Sequence, residues 1–103
     1  MARQRTREPT TPGEILLEEF LKPASISQTA FARHIGCDIK TINRLVNGHT
    51  SLDAKMARRI GAAVGTTAEF WLNLQKAVDL YEAAQSTTDL PPRLEQFKEG
   101  PRV

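Results

Sequence analysis

Between Ser27 and Gly48 the chain carries two short helical segments separated by only three residues, Gly36-Cys37-Asp38, and that hinge restricts everything around it. Ser27 is a strong N-cap for a helix from Gln28 to Ile35, and Gly36 ends it by accepting the left-handed backbone of a C-terminal cap. Asp38 caps a second helix, Ile39 to Asn47, which Gly48 stops. Two helices crossing steeply through so short a turn need a small residue where they touch, supplied by Ala32, and a turn residue tolerant of φ > 0, supplied by Gly36. Phe31 and Ile35 on the first helix and Ile42, Leu45 and Val46 on the second then point inward. The segment reads as a helix-turn-helix.

Three further helices surround it. Thr11-Pro12-Gly13-Glu14 is a capping box with proline at the first helical position, and Leu16, Leu17, Phe20 and Leu21 give the helix that follows an apolar face. Pro23 is expected to stop that helix at about Leu21. Glu14, Glu18 and Glu19 fall largely on its other side. Thr50 or Ser51 is the expected cap of a fourth helix, with Leu52, Met56, Ala57, Ile60 and Val64 as its core stripe and Gly65 as its stop. Thr66 or Thr67 caps a fifth, on which Phe70, Trp71, Leu74, Val78 and Tyr81 form an apolar band unusually rich for an end helix. No segment has strand periodicity, so the fold expected is all-α, with five helices.

The chain divides into a flexible basic arm over residues 1–10, a helical domain over 11–85 and a loose tail over 86–103, which opens on Ser86-Thr87-Thr88-Asp89-Leu90-Pro91-Pro92. A single core of this length buries only about two-thirds of its unfolded surface, so pairing of two copies would add stability. Residues 1–59 hold ten Lys and Arg against six Asp and Glu, whereas residues 60–103 hold four against six. The positive charge thus lies in the half that contains the helix-turn-helix, as a phosphate-facing surface requires. No apolar run has signal-peptide or membrane-span length, so a cytoplasmic, nucleoid-associated protein is expected.

With Ile42, Leu45 and Val46 turned inward, the second helix of the motif presents Lys40, Thr41, Asn43 and Arg44, with Ile39 at its leading end. Arg and Lys match guanine O6 and N7, Asn matches adenine, and an apolar side chain such as Ile39 meets a thymine methyl. Gln28 and Thr29, in the first turn of the preceding helix, are placed to meet a phosphate and so fix docking rather than sequence. Arg3, Arg5 and Arg7 are candidate arm contacts to phosphate or a minor groove. The partner expected is double-stranded operator DNA, read in the major groove.

The stretch Gln28 to Gly48 resembles the Cro/repressor (Xre-type) helix-turn-helix. Pro12-Gly13-Glu14-Ile15-Leu16, Thr41-Ile42-Asn43-Arg44-Leu45-Val46-Asn47-Gly48 and Glu69-Phe70-Trp71-Leu72-Asn73-Leu74-Gln75 together resemble the HigA antitoxins, the VapI-like antidote proteins, over residues 12–81. That resemblance implies a lambda repressor-like five-helix domain and a homodimer that binds an inverted repeat and represses its own toxin–antitoxin operon. It also implies a HigB-like partner toxin of the RelE-like, ribosome-dependent mRNA interferase class. The last helix, through Phe70, Trp71, Leu74, Val78 and Tyr81, would then be the dimer element. Ile39 stands where members often carry another basic residue.

Catalysis finds no support in the sequence: His34 and His49 lack a nucleophile with a carboxylate orienter, and no phosphate loop, metal-ligand spacing or cofactor signature occurs. Cys37 reads as a small packing residue of the turn, with a redox switch as the alternative. The contest that remains is between an antitoxin and a stand-alone Xre-family repressor. Acidic residues left unpaired on the first helix favour a basic protein partner.

Overall fold

A computed structural model describes residues 8–98, and among them there are five helices and no strand. Arg3, Arg5 and Arg7 lie outside the described residues. Helix α1 spans 12–24, α2 is Gln28–Ile35, α3 is Ile39–Val46, α4 is Ala54–Val64 and α5 is Ala68–Ser86; a 3-10 turn, Glu95–Phe97, follows in an exposed tail. Each of the five starts on a side-chain cap: Thr11, Ser27, Asp38, Asp53 and Thr67 all accept a backbone N–H from the first turn. Such caps satisfy donors that would otherwise have no partner at a helix start.

Two expected boundaries are corrected. Helix α1 does not stop at Leu21 but passes through Pro23 to Ala24. It manages this by widening to π geometry over Leu16–Leu21, with Lys22 N–H reaching back five residues to Leu17 O. Proline lacks an N–H and its ring collides with the carbonyl four residues earlier; a wider preceding turn moves that carbonyl aside. The helix then closes on Ser25, the one non-glycine with positive φ among the described residues, as Ile26 N–H bonds Leu21 O. The second correction concerns α4, which is capped by Asp53 rather than Thr50 or Ser51. Leu52 therefore precedes the helix, buried with Ala57 in the positions of a hydrophobic staple.

The core joins all five helices: Leu16 and Leu21 from α1, Phe31 and Ala32 from α2, Ile42 and Leu45 from α3, Ala57 and Ile60 from α4, and Trp71 from α5, with Leu52 from the loop before α4. Trp71 is fully buried, and its indole N–H donates to Thr66 Oγ1 at 2.6 Å. Phe20 and Phe70 pack on it with ring centroids 5.6 and 5.1 Å away. Thr67 caps α5, which leaves the Thr66 hydroxyl for this bond. Burying tryptophan without such a partner would strand a donor in apolar surroundings.

The approach that sets the position of α3 is made by Gly13. Its α-carbon lies so near the end of α3 that an added Cβ would strike the Leu45 carbonyl and come within 2.8 Å of Val46 Cα. All of these are main-chain atoms, which cannot rotate away. Gly13→Ala is therefore expected to lower stability by about 3 kcal/mol, the upper end of what overpacking a rigid site costs. Urea denaturation measures it, and a midpoint equal to that of the parent would show that α1 does not bear on α3.

Candidate nucleic-acid interface

The turn of the motif is built by the backbone. Gly36 sits at φ 78°, Gly36 N–H bonds Arg33 O, and Cys37 N–H bonds Ala32 O at 2.9 Å. This double closure ends α2 and points the chain directly into the Asp38 cap of α3, where Lys40 N–H donates to Asp38 Oδ1. From the other side Arg59 of α4 donates to Gly36 O at 3.3 Å. Cys37 is half-buried here. Burial pushes its thiol above the ordinary range; the Arg59 cation pulls the other way, and Asp38 adds to the rise.

On α3 the structure separates the expected residues into two kinds. Lys40, Asn43 and Arg44 are exposed, whereas Ile39 and Thr41 are half-buried and Ile39 rests partly on the core. Ile42 and Leu45 are buried behind them. Thr29 is exposed and Gln28 half-buried at the start of α2. The exposed α3 row is thus one cation, one amide and one guanidinium in succession, without a carboxylate after Asp38.

Arg44 is not loose. The helix ends in a Schellman arrangement, with Gly48 at φ 73°, Gly48 N–H on Leu45 O and His49 N–H on Arg44 O at 2.8 Å. The Arg44 side chain closes the same loop, donating through Nη2 to His49 O at 2.8 Å. A guanidinium has five N–H donors, so one bond to the loop leaves the rest of the fork for a base edge.

Reasoning from sequence passed over four cations and one amide. Arg33 on α2 and Lys55, Arg58 and Arg59 on α4 are all exposed, and Arg59 reaches the turn of the motif at Gly36 O. Their spacing on α4 was the available signal. Gln75 could not have been found this way, because its importance comes from a contact twenty-three residues away. In the dimer set, Trp71 and Val78 are buried within the single chain, Leu74 and Tyr81 are half-buried, and Phe70 is 41% exposed. Leu80, not among the expected residues, is 63% exposed.

No group of three or more His, Cys, Asp or Glu among the described residues is placed to hold a metal ion, and no described helix is long and apolar enough to cross a membrane. The raised thiol has a measurable consequence. Cys37 in the folded protein is expected to react with iodoacetamide at pH 7 several-fold more slowly than in the urea-unfolded chain, since only the thiolate attacks. Equal rates would mean that the turn leaves the sulfur open.

A helix-turn-helix family model matches residues 17–71. Antitoxin HigA-1 of Vibrio cholerae is 44% identical over 80 residues, which are 78% of this chain and 75% of that one. An uncharacterised helix-turn-helix transcriptional regulator of Escherichia coli K12, YbaQ, is 42% identical over 80 residues, covering 78% and 71% of the two chains. Among solved structures, Pseudomonas aeruginosa antitoxin HigA with the higBA promoter superposes with a TM-score of 0.73 at 40% identity, over 76% of this chain and 85% of the other. The relatives are regulators and antitoxins rather than enzymes. By matched model, sequence and fold, this chain belongs to the Xre/Cro-repressor helix-turn-helix family, among proteins of the HigA type.

Proposed function

We propose that the chain is the antitoxin of a HigBA-like toxin–antitoxin module, binding operator DNA as a dimer to repress its own operon and holding a RelE-like mRNA interferase inactive. The observation that carries the DNA reading is the exposed row Lys40, Asn43 and Arg44 on a helix fixed from behind by Gly13, Ile42 and Leu45. Side chains on a rigid helix can meet base edges in the major groove with little ordering cost. Ile39 and Thr41 flank the row for apolar and hydroxyl contacts, and Gln28 and Thr29 take phosphates. Arg3, Arg5 and Arg7 are the proposed arm contacts. Relatives support the reading: the HigA structure from Pseudomonas aeruginosa is with its promoter, and the Vibrio cholerae relative is named an antitoxin.

The proposed dimer surface is α5, through Phe70, Leu74 and Tyr81 with Leu80 added; Val78 borders it and Trp71 supports it from inside the core. A twofold dimer would set two α3 helices on half-sites of an inverted repeat, about 34 Å or a multiple of it apart. The toxin reading is favoured by α1: Glu14 and Glu19 are exposed without a cationic partner among the described residues, while Glu18 pairs with Lys22 at 3.0 Å. Unpaired carboxylates complement a basic partner. The proposed place of action is the cytoplasm, on the nucleoid.

A second reading, a stand-alone repressor, is favoured by the relative described only as a transcriptional regulator. Native mass spectrometry of the protein purified from its own locus separates the two. A stoichiometric small basic protein that stays bound in salt strong enough to strip DNA establishes the antitoxin; a bare dimer establishes the repressor. For base reading, Arg44→Ala is expected to weaken binding to the preferred operator by about 1–3 kcal/mol and binding to unrelated duplex far less. Equal losses on the two duplexes would remove Arg44 from the base-reading set.

A further inference from the structure

Gln75 is the one buried polar side chain among the described residues, at 8% exposed, and it lies on α5, away from the recognition helix in sequence. Its Oε1 accepts from Leu52 N–H at 2.9 Å, and its Nε2 donates to Asp79 Oδ1 at 2.9 Å. The second bond fixes which way the amide faces, so that oxygen rather than nitrogen meets Leu52. Leu52 is itself buried and ends the loop that begins at Gly48.

That loop holds Arg44. His49 O accepts from the guanidinium at one end, and Leu52 is tied to Gln75 at the other. Thr50 and Ser51 lie between them, exposed like Gly48 and His49, and these four residues line an open polar pocket of about 250 Å³ together with Gln75, Gly13 and Glu82. The Schellman bonds hold the start of the loop at His49, and burial of Leu52 with its bond to Gln75 holds its end, so a shift at Leu52 reaches the His49 carbonyl through only two exposed residues.

We propose that Gln75 is a positioning residue for DNA reading: through Leu52 and His49 it sets the direction in which α3 presents Arg44, and so couples α5 to sequence preference. The proposal rests on the reading of α3 as the DNA-recognition helix. It assigns to a buried amide an effect on specificity rather than on affinity in general. Phosphate contacts from other cations do not pass through this loop and so do not depend on Gln75.

The test uses the full chain and two duplexes: a site that the wild-type protein selects from a random library, and an unrelated sequence of equal length. Gln75→Met removes the acceptor at nearly constant volume. It is expected to weaken binding to the selected site roughly fivefold, the effect of one hydrogen bond, with unrelated duplex changed less than twofold. In an Arg44→Ala background the same substitution is expected to change neither. Equal losses on both duplexes, or an undiminished loss without Arg44, would overturn the proposal and leave Gln75 a structural residue. If Gln75→Met fails to fold, Gln75→Glu and the double variant Gln75→Glu with Asp79→Asn decide. The double variant keeps an acceptor facing Leu52 and reverses the second bond, so it is expected to restore the preference that the single variant loses; no restoration overturns the proposal. A wild-type protein that selects no site at all would instead remove the DNA reading itself, and the inference with it.

Discussion

Helix α1 can rest on α3 only because residue 13 carries no side chain. The contact is backbone to backbone, Gly13 against Leu45 and Val46, and neither partner has a rotamer through which to yield. It fixes the rear of α3 at its C-terminal end, while Gly36 and the Asp38 cap fix the N-terminal end. What remains between them, Ile42 and Leu45, fills the core. A helix constrained at both ends and along its inner face has one exposed row left to offer. The direction of Lys40, Asn43 and Arg44 therefore follows from the packing of the residues behind them.

The parts of this arrangement that the sequence made legible are those in which one residue answers a local steric demand. Gly36, Gly48 and Gly65 each take the left-handed backbone expected after a helix, and Ser27 and Asp38 cap where a short oxygen is needed. Legibility fails where the deciding partner is distant. Ser25 takes a left-handed conformation that local preference reserves for glycine, because the π turns upstream have already fixed where α1 must end. Thr50, Ser51 and Asp53 all qualify as caps by composition; burial of Leu52 and its bond to Gln75 select Asp53.

Helix α5 shows the same limit for the site. A band of apolar residues announces that two surfaces are to be covered without saying which residue covers which. The structure gives Trp71 and Val78 to the chain's own core and leaves Phe70 and Leu80 outside. The difference depends on which side of α5 the other helices pack against, which no pattern within α5 records. Charge is divided more plainly: α1 and α5 carry most of the helical carboxylates, and α2 to α4 carry most of the helical cations.

In the exposed row on α3, Lys40 and Asn43 carry almost none of the burden of folding, whereas Arg44 is bonded to the His49 carbonyl. Substitutions at exposed positions away from caps and cores usually change stability by less than about 0.5 kcal/mol. On the proposed reading of α3, operator preference can therefore drift from lineage to lineage while the scaffold stays fixed. On that reading, duplicated copies of such a gene within one genome can diverge to separate addresses, and so avoid cross-regulation, by changes at Lys40 and Asn43 that the fold does not register.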